Sequence, residues 1–349
     1  MRTIVGTMTG TSMDGVDAVA VTINGEGLAM TASFVGMASC NLGDLSPMLR
    51  ALALGGGSKQ DMHAASEQLG KITARAIKQL QLASIDMIAL HGQTIFHDPP
   101  ISVQLINPQP VIDQFPCTVL TDPRQADLQL GGQGAPITPL ADWIMFRHET
   151  MNTAIINLGG FCNVTVLPAS CEPNQVFGFD VCCCNLVLNA IARERLDAEF
   201  DIDGNAASQG KIDDAVCTFL FEYLSEQAQA QRSLGTNDDL GRFVLQLGKH
   251  LSTEDLLASA IKAISACIAG SNDADRILLA GGGVHNRQLV SNIPNSGTTQ
   301  ILGVPTQARE GMAMAILAAL AQDGVSITLP QITGRRKTTD VVGWVQASP

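Results

Sequence analysis

The 349-residue chain has no apolar run long enough to cross a bilayer, although 46% of its residues are apolar. Membrane-spanning helices are therefore excluded. Met1 leads directly into Thr3-Ile4-Val5 without the basic, apolar and cleavage regions of a secretory leader, so a soluble cytoplasmic protein is expected. Basic residues are also short: 21 Lys and Arg face 33 Asp and Glu, and they are scattered. With a formal charge of −12, the chain lacks the clustered positive surface that phosphate neutralisation along a nucleic acid requires. A small anionic ligand is still allowed, because local backbone amides bind it whatever the net charge. The nine cysteines, at positions 40, 117, 162, 171, 182, 183, 184, 217 and 267, never adopt the paired CxxC spacing of a zinc site. They read as reduced thiols, mostly buried. Neither GxxxxGK[ST] nor a strand-GxGxxG-helix run occurs, which removes the P-loop and the dinucleotide fingerprint.

The chain is long enough for two packed domains. Thr3–Gly6 and Asp17–Ile23 are β-rich runs with the polar loop Gly10-Thr11-Ser12-Met13-Asp14-Gly15 between them. From Asp61 to Leu80 apolar residues recur at helical spacing, with Lys71, Arg75 and Lys78 on the polar side. A buried strand, Ile85–Leu90, delivers His91-Gly92-Gln93 at its end, and Cys117–Leu120 delivers Thr121-Asp122-Pro123-Arg124 in the same way. The glycine-rich Gly131–Pro136 segment suggests a domain junction. After it the opening pattern returns as strand 153–157, turn Leu158-Gly159-Gly160 and strand 163–167, a weak internal duplication. Strands are also expected at 176–180 and at 276–280, the latter running into Gly281-Gly282-Gly283, with helices at 185–196, 212–224, 251–268 and 310–320.

Glycine turns in both halves suit a nucleotide triphosphate, since Gly lets backbone amides approach phosphate oxygens and Thr or Ser hydroxyls add donors. Three segments qualify: Gly10, Thr11, Ser12, Met13, Asp14, Gly15, Val16 and Asp17; Asn157, Gly159 and Gly160; and Gly281, Gly282 and Gly283. Each alone also reads as a plain turn. Carboxylates and Mg²⁺ would handle the charge on a transferring group, and Asp14, Asp17 and Asp180 are candidates. Asp180, read as ending its strand, suits a general base or an N-cap for the helix at Asn185. Asp122 and Arg124 suit either substrate binding or a structural ion pair, and His91 and Gln93 either sugar hydroxyls or their own loop.

Together these residues resemble the anhydro-N-acetylmuramic acid kinases of the sugar kinase, Hsp70 and actin superfamily. Six segments match in family order: Met8–Asp17, His91–Thr94, Thr121–Arg124 with Asp127, Gly131–Pro136, Asn157–Gly160 and Gly281–Gly283. The resemblance implies a duplicated ribonuclease H-like, actin/hexokinase-type α/β fold of two domains with a central cleft. Residues 1–128 plus about 310–349 would form the first domain and 129–309 the second. It implies ATP and Mg²⁺ as cofactors, a small-molecule amino sugar as substrate and a possible homodimer. The implied reaction opens the 1,6-anhydro bridge with water and phosphorylates the 6-oxygen, in cell-wall sugar recycling. Asp180 would be the catalytic base, and His91, Gln93, Asp122, Arg124, Gln133 and Glu310 would lie on the sugar side. No separate metal-ligand set is expected. Departures are concentrated after Asp180, where the family's Thr-Gly-Pro-Gly-Asn is Val181-Cys182-Cys183-Cys184-Asn185; Asn189 and the segment Arg232–Asn237 also differ. They leave open a catalytically impaired sugar or nucleotide sensor, or a kinase for another amino sugar.

Overall fold

The computed structural model describes residues 1–10, 13–230, 234, 238–336 and 342–347. The chain divides into two compact units, Met1–Phe146 with Gly303–Pro349, and Arg147–Leu302.

In the first unit, β1 (Arg2–Met8), β2 (Gly15–Asn24) and β3 (Thr31–Asn41) form an antiparallel meander. β4 (Met87–Leu90) pairs with β1 in parallel. A hairpin of β5 (Gln93–Asp98) and β6 (Ile101–Leu105) stands outside this sheet, and β7 (Thr118–Thr121) joins β4 in parallel. In the second unit β8 (Thr153–Leu158), β9 (Phe161–Leu167) and β10 (Phe177–Cys183) repeat the meander. β11 (Arg276–Ala280) and β12 (Ser296–Thr298) add in parallel beside β8. β13 (Val345–Gln346) closes the first sheet against β7. The orders β3-β2-β1-β4-β7 and β10-β9-β8-β11-β12 are the same, so the duplication suggested by sequence is a duplication of topology. This is the duplicated ribonuclease H-like α/β fold.

Seven helices of eight or more residues cover these sheets among the described residues. They are α1 (Leu45–Ala53), α2 (Lys59–Gln79), α3 (Pro139–Phe146), α4 (Asn185–Leu196), α5 (Asp214–Gln229), α6 (Thr253–Gly270) and α7 (Arg309–Gln322). α2 starts two residues before the periodic pattern because Ser58 and Asp61 form a reciprocal capping box. α7 is buried on nearly every face, as its Ala and Met content suggests, and packs on β1 and β2. The approach is at backbone distance: a Cβ on Gly6 would lie 2.0 Å from the Gly311 oxygen, and one on Gly311 2.4 Å from Val19.

The unit boundary corrects the expected one. Gly131–Pro136 is a loop anchored inside the first unit, because the buried Asp127 carboxylate accepts the Gly134 amide (2.8 Å) and the Thr328 and Thr333 hydroxyls (2.7 and 2.8 Å). Residues 129–146 and 303–309 therefore stay with the first unit. α3 is held there by a buried ion pair in which Arg309 Nε donates to Asp142 Oδ1 at 2.9 Å and Arg309 Nη2 donates to Oδ2. Removing one partner strands the other charge away from water. Asp142→Ala is expected to lose about 3–5 kcal/mol of stability, whereas the paired replacement Asp142→Leu with Arg309→Met loses far less. Urea unfolding of the two variants against wild type measures both.

Candidate active site

In the first unit, the loop between β1 and β2 is tied to the end of β4: Thr9 Oγ1 donates to the Gly92 carbonyl at 2.8 Å. Gly10 closes a turn by accepting from the Met13 amide at 3.1 Å, and Met13 takes the left-handed conformation with φ 53°. Thr11 and Ser12 lie outside the described residues. Asp14 is exposed, and its carbonyl accepts from the Leu42 amide at 2.9 Å. Gly15 opens β2, and Val16 points into the core, so any contact from Val16 to a ligand would come through backbone. Asp17 lies opposite Ser39 across β2 and β3 and accepts its hydroxyl at 2.5 Å. Burial pushes the Asp17 carboxyl above its usual range, the Ser39 hydrogen bond opposes this, and the Asp14 charge adds to the rise.

The strand-end residues of the same unit come together. Arg124 Nη1 donates to the Gly134 carbonyl (2.8 Å) and Nη2 meets His91 Nε2 (3.0 Å), while its buried Nε has no partner among the described residues. Burial draws the Arg124 pKa down to about 10, against the charges of Asp122 and Glu310, so the guanidinium remains charged at neutral pH. Asp122 sits at φ 53° with a buried, unpartnered Oδ1; burial raises its pKa, and the Arg124 and Gln125 amides oppose that rise. Gln93 is buried, and its Oε1 is unpartnered as well. Glu310, in the first turn of α7, is pushed upward by burial, with Arg309 and Arg124 pulling down and Asp142 and Asp17 pushing up. Gln133 differs from the others: it is exposed, and its amide donates to the Thr333 carbonyl at 2.8 Å.

In the second unit the turn after β8 is clamped to the start of α4. Cys184 N donates to Gly160 O (2.9 Å), Asn185 N to Gly159 O (3.1 Å) and Asn185 Nδ2 to Leu158 O (2.9 Å). Gly281, at φ 82°, lies against this turn: a Cβ there would meet Asn157 Oδ1 at 2.7 Å, and one on Gly283 would meet Leu158 Cβ at 2.6 Å. Gly282 faces open space, and Asn157 Oδ1 is buried without a partner. The two glycine segments and Asn157 thus form one backbone-lined surface with an unused acceptor. Sequence reasoning missed Thr9 and Asn185 as the clamps of these turns, although a Thr before the first glycine and an Asn at a helix start are both visible signals.

Asp180 does not end its strand. β10 continues through Cys183, with a register shift between Asp180 and Cys182, and no side chain caps α4. The N-cap reading therefore fails. A bulge re-aims the side chain beside it, and Asp180 is half-buried with Oδ2 accepting from the Leu234 amide at 2.7 Å. Leu234 lies in the divergent Arg232–Asn237 segment, whose other residues lie outside those described. The cysteine run is core: Cys182, Cys183 and Cys184 pack with Cys162 and Cys267 among the apolar side chains of the second unit. Burial pushes the Cys183 thiol up to about 12 and raises Cys184 too, while a hydrogen bond with Cys267 and burial raise Cys182. Protonated, enclosed thiols are poor nucleophiles. Among the described residues, no three His, Cys, Asp or Glu side chains are placed to hold a metal ion, and no helix is long and apolar enough to cross a membrane.

Comparison with known proteins places these features in a family. The family model described as anhydro-N-acetylmuramic acid kinase matches residues 2–346. A protein of that name from Salinibacter ruber is 31% identical over 97% of this chain and 94% of its own length. One from Bacillus thuringiensis is 28% identical over 99% of each chain. Among solved structures, the Acidaminococcus fermentans (R)-2-hydroxyglutaryl-CoA dehydratase component A covers 93% of this chain and 99% of its own at 10% identity and TM-score 0.46, too remote to bear on function.

Two outcomes follow from this geometry. His91, enclosed and facing Arg124, has its pKa drawn down to about 3 by burial and by that charge. A folded pKa below the unfolded one gives stability that is present above the unfolded value near 6.5 and is lost as pH falls towards about 3, at up to about 1.4 kcal/mol per pH unit. His91→Gln should thus lose less stability than wild type between neutral pH and pH 4, as read from urea midpoints. Among the glycines, Gly282→Ala is expected to fall within about 0.5 kcal/mol of wild type, and Gly283→Ala to lose about 1–3 kcal/mol through its clash with Leu158.

Proposed function

Because the chain belongs to the anhydro-N-acetylmuramic acid kinase family, we propose that it opens the 1,6-anhydro bridge of anhydro-N-acetylmuramic acid with water and phosphorylates the 6-oxygen from ATP, in the cytoplasm, as a step of cell-wall sugar recycling. The observation that carries this reading is the family match along residues 2–346, which includes every candidate site residue. ATP fits the backbone-lined glycine surface formed by Asn157–Gly160 and Gly281–Gly283, where Gly282 is open and Asn157 keeps an unused acceptor. The opening loop Gly10–Asp17 is by its own composition a second candidate for phosphate contacts. The Asp14 charge adds to the cost of charging Asp17, a situation that a cation relieves. Mg²⁺ held by them, directly or through water, would offset charge on the phosphoryl group.

Asp180 is the proposed general base. Its carboxylate takes a proton from water as that water bonds to the anomeric carbon, and the bond from that carbon to the bridging oxygen breaks. The freed 6-oxygen attacks the γ-phosphorus, and ADP leaves. Arg124, Asp122, Gln93 and Glu310 orient the sugar, with His91 and Gln133 at its margin. No enzyme nucleophile is required, which agrees with burial raising the pKa of the Cys183 thiol.

Incubation with ATP, Mg²⁺ and the anhydro sugar is expected to yield a product heavier by one phosphoryl group and one water, detected by mass spectrometry. Asp180→Asn should abolish this product while ATP binding persists. Product without the added water, or undiminished turnover in the variant, would overturn the mechanism; ATP binding without any product would favour the sensor.

A further inference from the structure

His91 is 2% exposed, and both of its ring nitrogens are engaged by the protein itself. Nδ1 lies 2.9 Å from the Gly92 carbonyl oxygen and Nε2 lies 3.0 Å from Arg124 Nη2. A carbonyl only accepts, so Nδ1 must carry the proton; a guanidinium only donates, so Nε2 must present a lone pair. The two contacts demand the same neutral tautomer. An imidazolium would set an N–H against an N–H, which the environment independently disfavours by holding His91 far below its ordinary pKa.

The Gly92 carbonyl that selects this tautomer also accepts Thr9 Oγ1, from the start of the opening loop. On its other side Arg124 reaches the Gly134 carbonyl, whose own amide is fixed by the buried Asp127. His91 is thus the central link of a chain of hydrogen bonds running from Thr9 to Asp127. Every acceptor that touches Arg124 in this chain is neutral. A carboxylate in place of His91 would orient the guanidinium equally well but would also neutralise it.

We infer that His91 is a positioning residue: its Nε2 lone pair and the Gly134 carbonyl turn the Arg124 guanidinium without quenching its charge, leaving the unpartnered Nε–H and the full positive charge for an anionic group of the substrate. The inference rests on the proposed sugar-kinase reading for the identity of that substrate, a sugar acid, and on geometry alone for the role of His91. It moves His91 from contact with the sugar to support of the residue that makes the contact.

The test has two parts. In protein carrying ¹⁵N-histidine, the two-bond proton-nitrogen spectrum, with His91 assigned by the signal missing in His91→Gln, should show a protonated Nδ1 and an unprotonated Nε2 at neutral pH. A protonated Nε2, or an imidazolium, overturns the inference whatever the enzyme does. In steady-state kinetics with the anhydro sugar, His91→Leu should raise KM for the sugar about tenfold or more, in keeping with loss of one charge-assisted hydrogen bond. KM for ATP should change by no more than about twofold. His91→Gln, which restores a neutral acceptor, should recover most of the loss, and His91→Glu should not. Equal defects in the Leu and Gln variants, or full affinity in the Glu variant, would overturn it. If the wild type fails to turn over the sugar, the functional reading fails, while the tautomer measurement still decides the role of His91.

Discussion

The buried pair of Arg309 with Asp142 is the constraint on which the first unit depends. Neither side chain meets water to any extent, and each charge is met by the other within hydrogen-bond reach through two parallel contacts. That requirement binds α3 to the N-terminus of α7, and α7 in turn lies on β1 and β2 at backbone distance through Gly6 and Gly311. The next residue, Glu310, is consequently delivered to a place where Asp17, Asp142, Arg309 and Arg124 all act on it. One carboxylate-guanidinium contact thereby fixes where the last helix begins and the electrostatic setting of a candidate sugar ligand.

Polar groups around Arg124 follow a different economy. Its contacts are to a neutral imidazole and a carbonyl, and the charges of Asp122 and Glu310 act on it without any direct hydrogen bond to its buried Nε. Unpartnered buried atoms on Gln93, Asp122 and Arg124 are costly in a folded protein. All three belong to the candidate site of the first unit, where they leave hydrogen-bonding capacity that the described residues do not use.

In the second unit the departure that directly follows Asp180 is interior. Cys182 and Cys183 extend β10, Cys184 precedes α4, and all three side chains lie in the core of the unit, while the register shift between Asp180 and Cys182 accompanies an Asp180 that stays half-buried. The clamp on the Leu158–Gly160 turn survives because it uses the backbone of Cys184 and Asn185 and the Asn185 amide. A thiol side chain does not enter into those bonds.

Much of the architecture was legible in the chain. Alternating β-branched runs, the amphipathic spacing of α2 and the returning strand-turn-strand pattern depend on local periodicity, and the strands bearing His91, Asp122 and Gly281 stand where that periodicity put them. The glycine turns were legible as well, because backbone freedom is written in residue type. β3 and the β5–β6 hairpin were not: small and polar residues in Thr31–Asn41 give no clean alternation, and only pairing with β2 makes it a strand. Sequence could name Asp180, His91 and Arg124, but it could not exclude a helix cap at Asp180 or tell which groups His91 and Arg124 bond to. Those distinctions rest on which atoms lie within hydrogen-bond reach across long stretches of chain, as Arg124 does with His91 and Asp142 with Arg309, and contacts of that kind exist only once tertiary packing has removed water from between them.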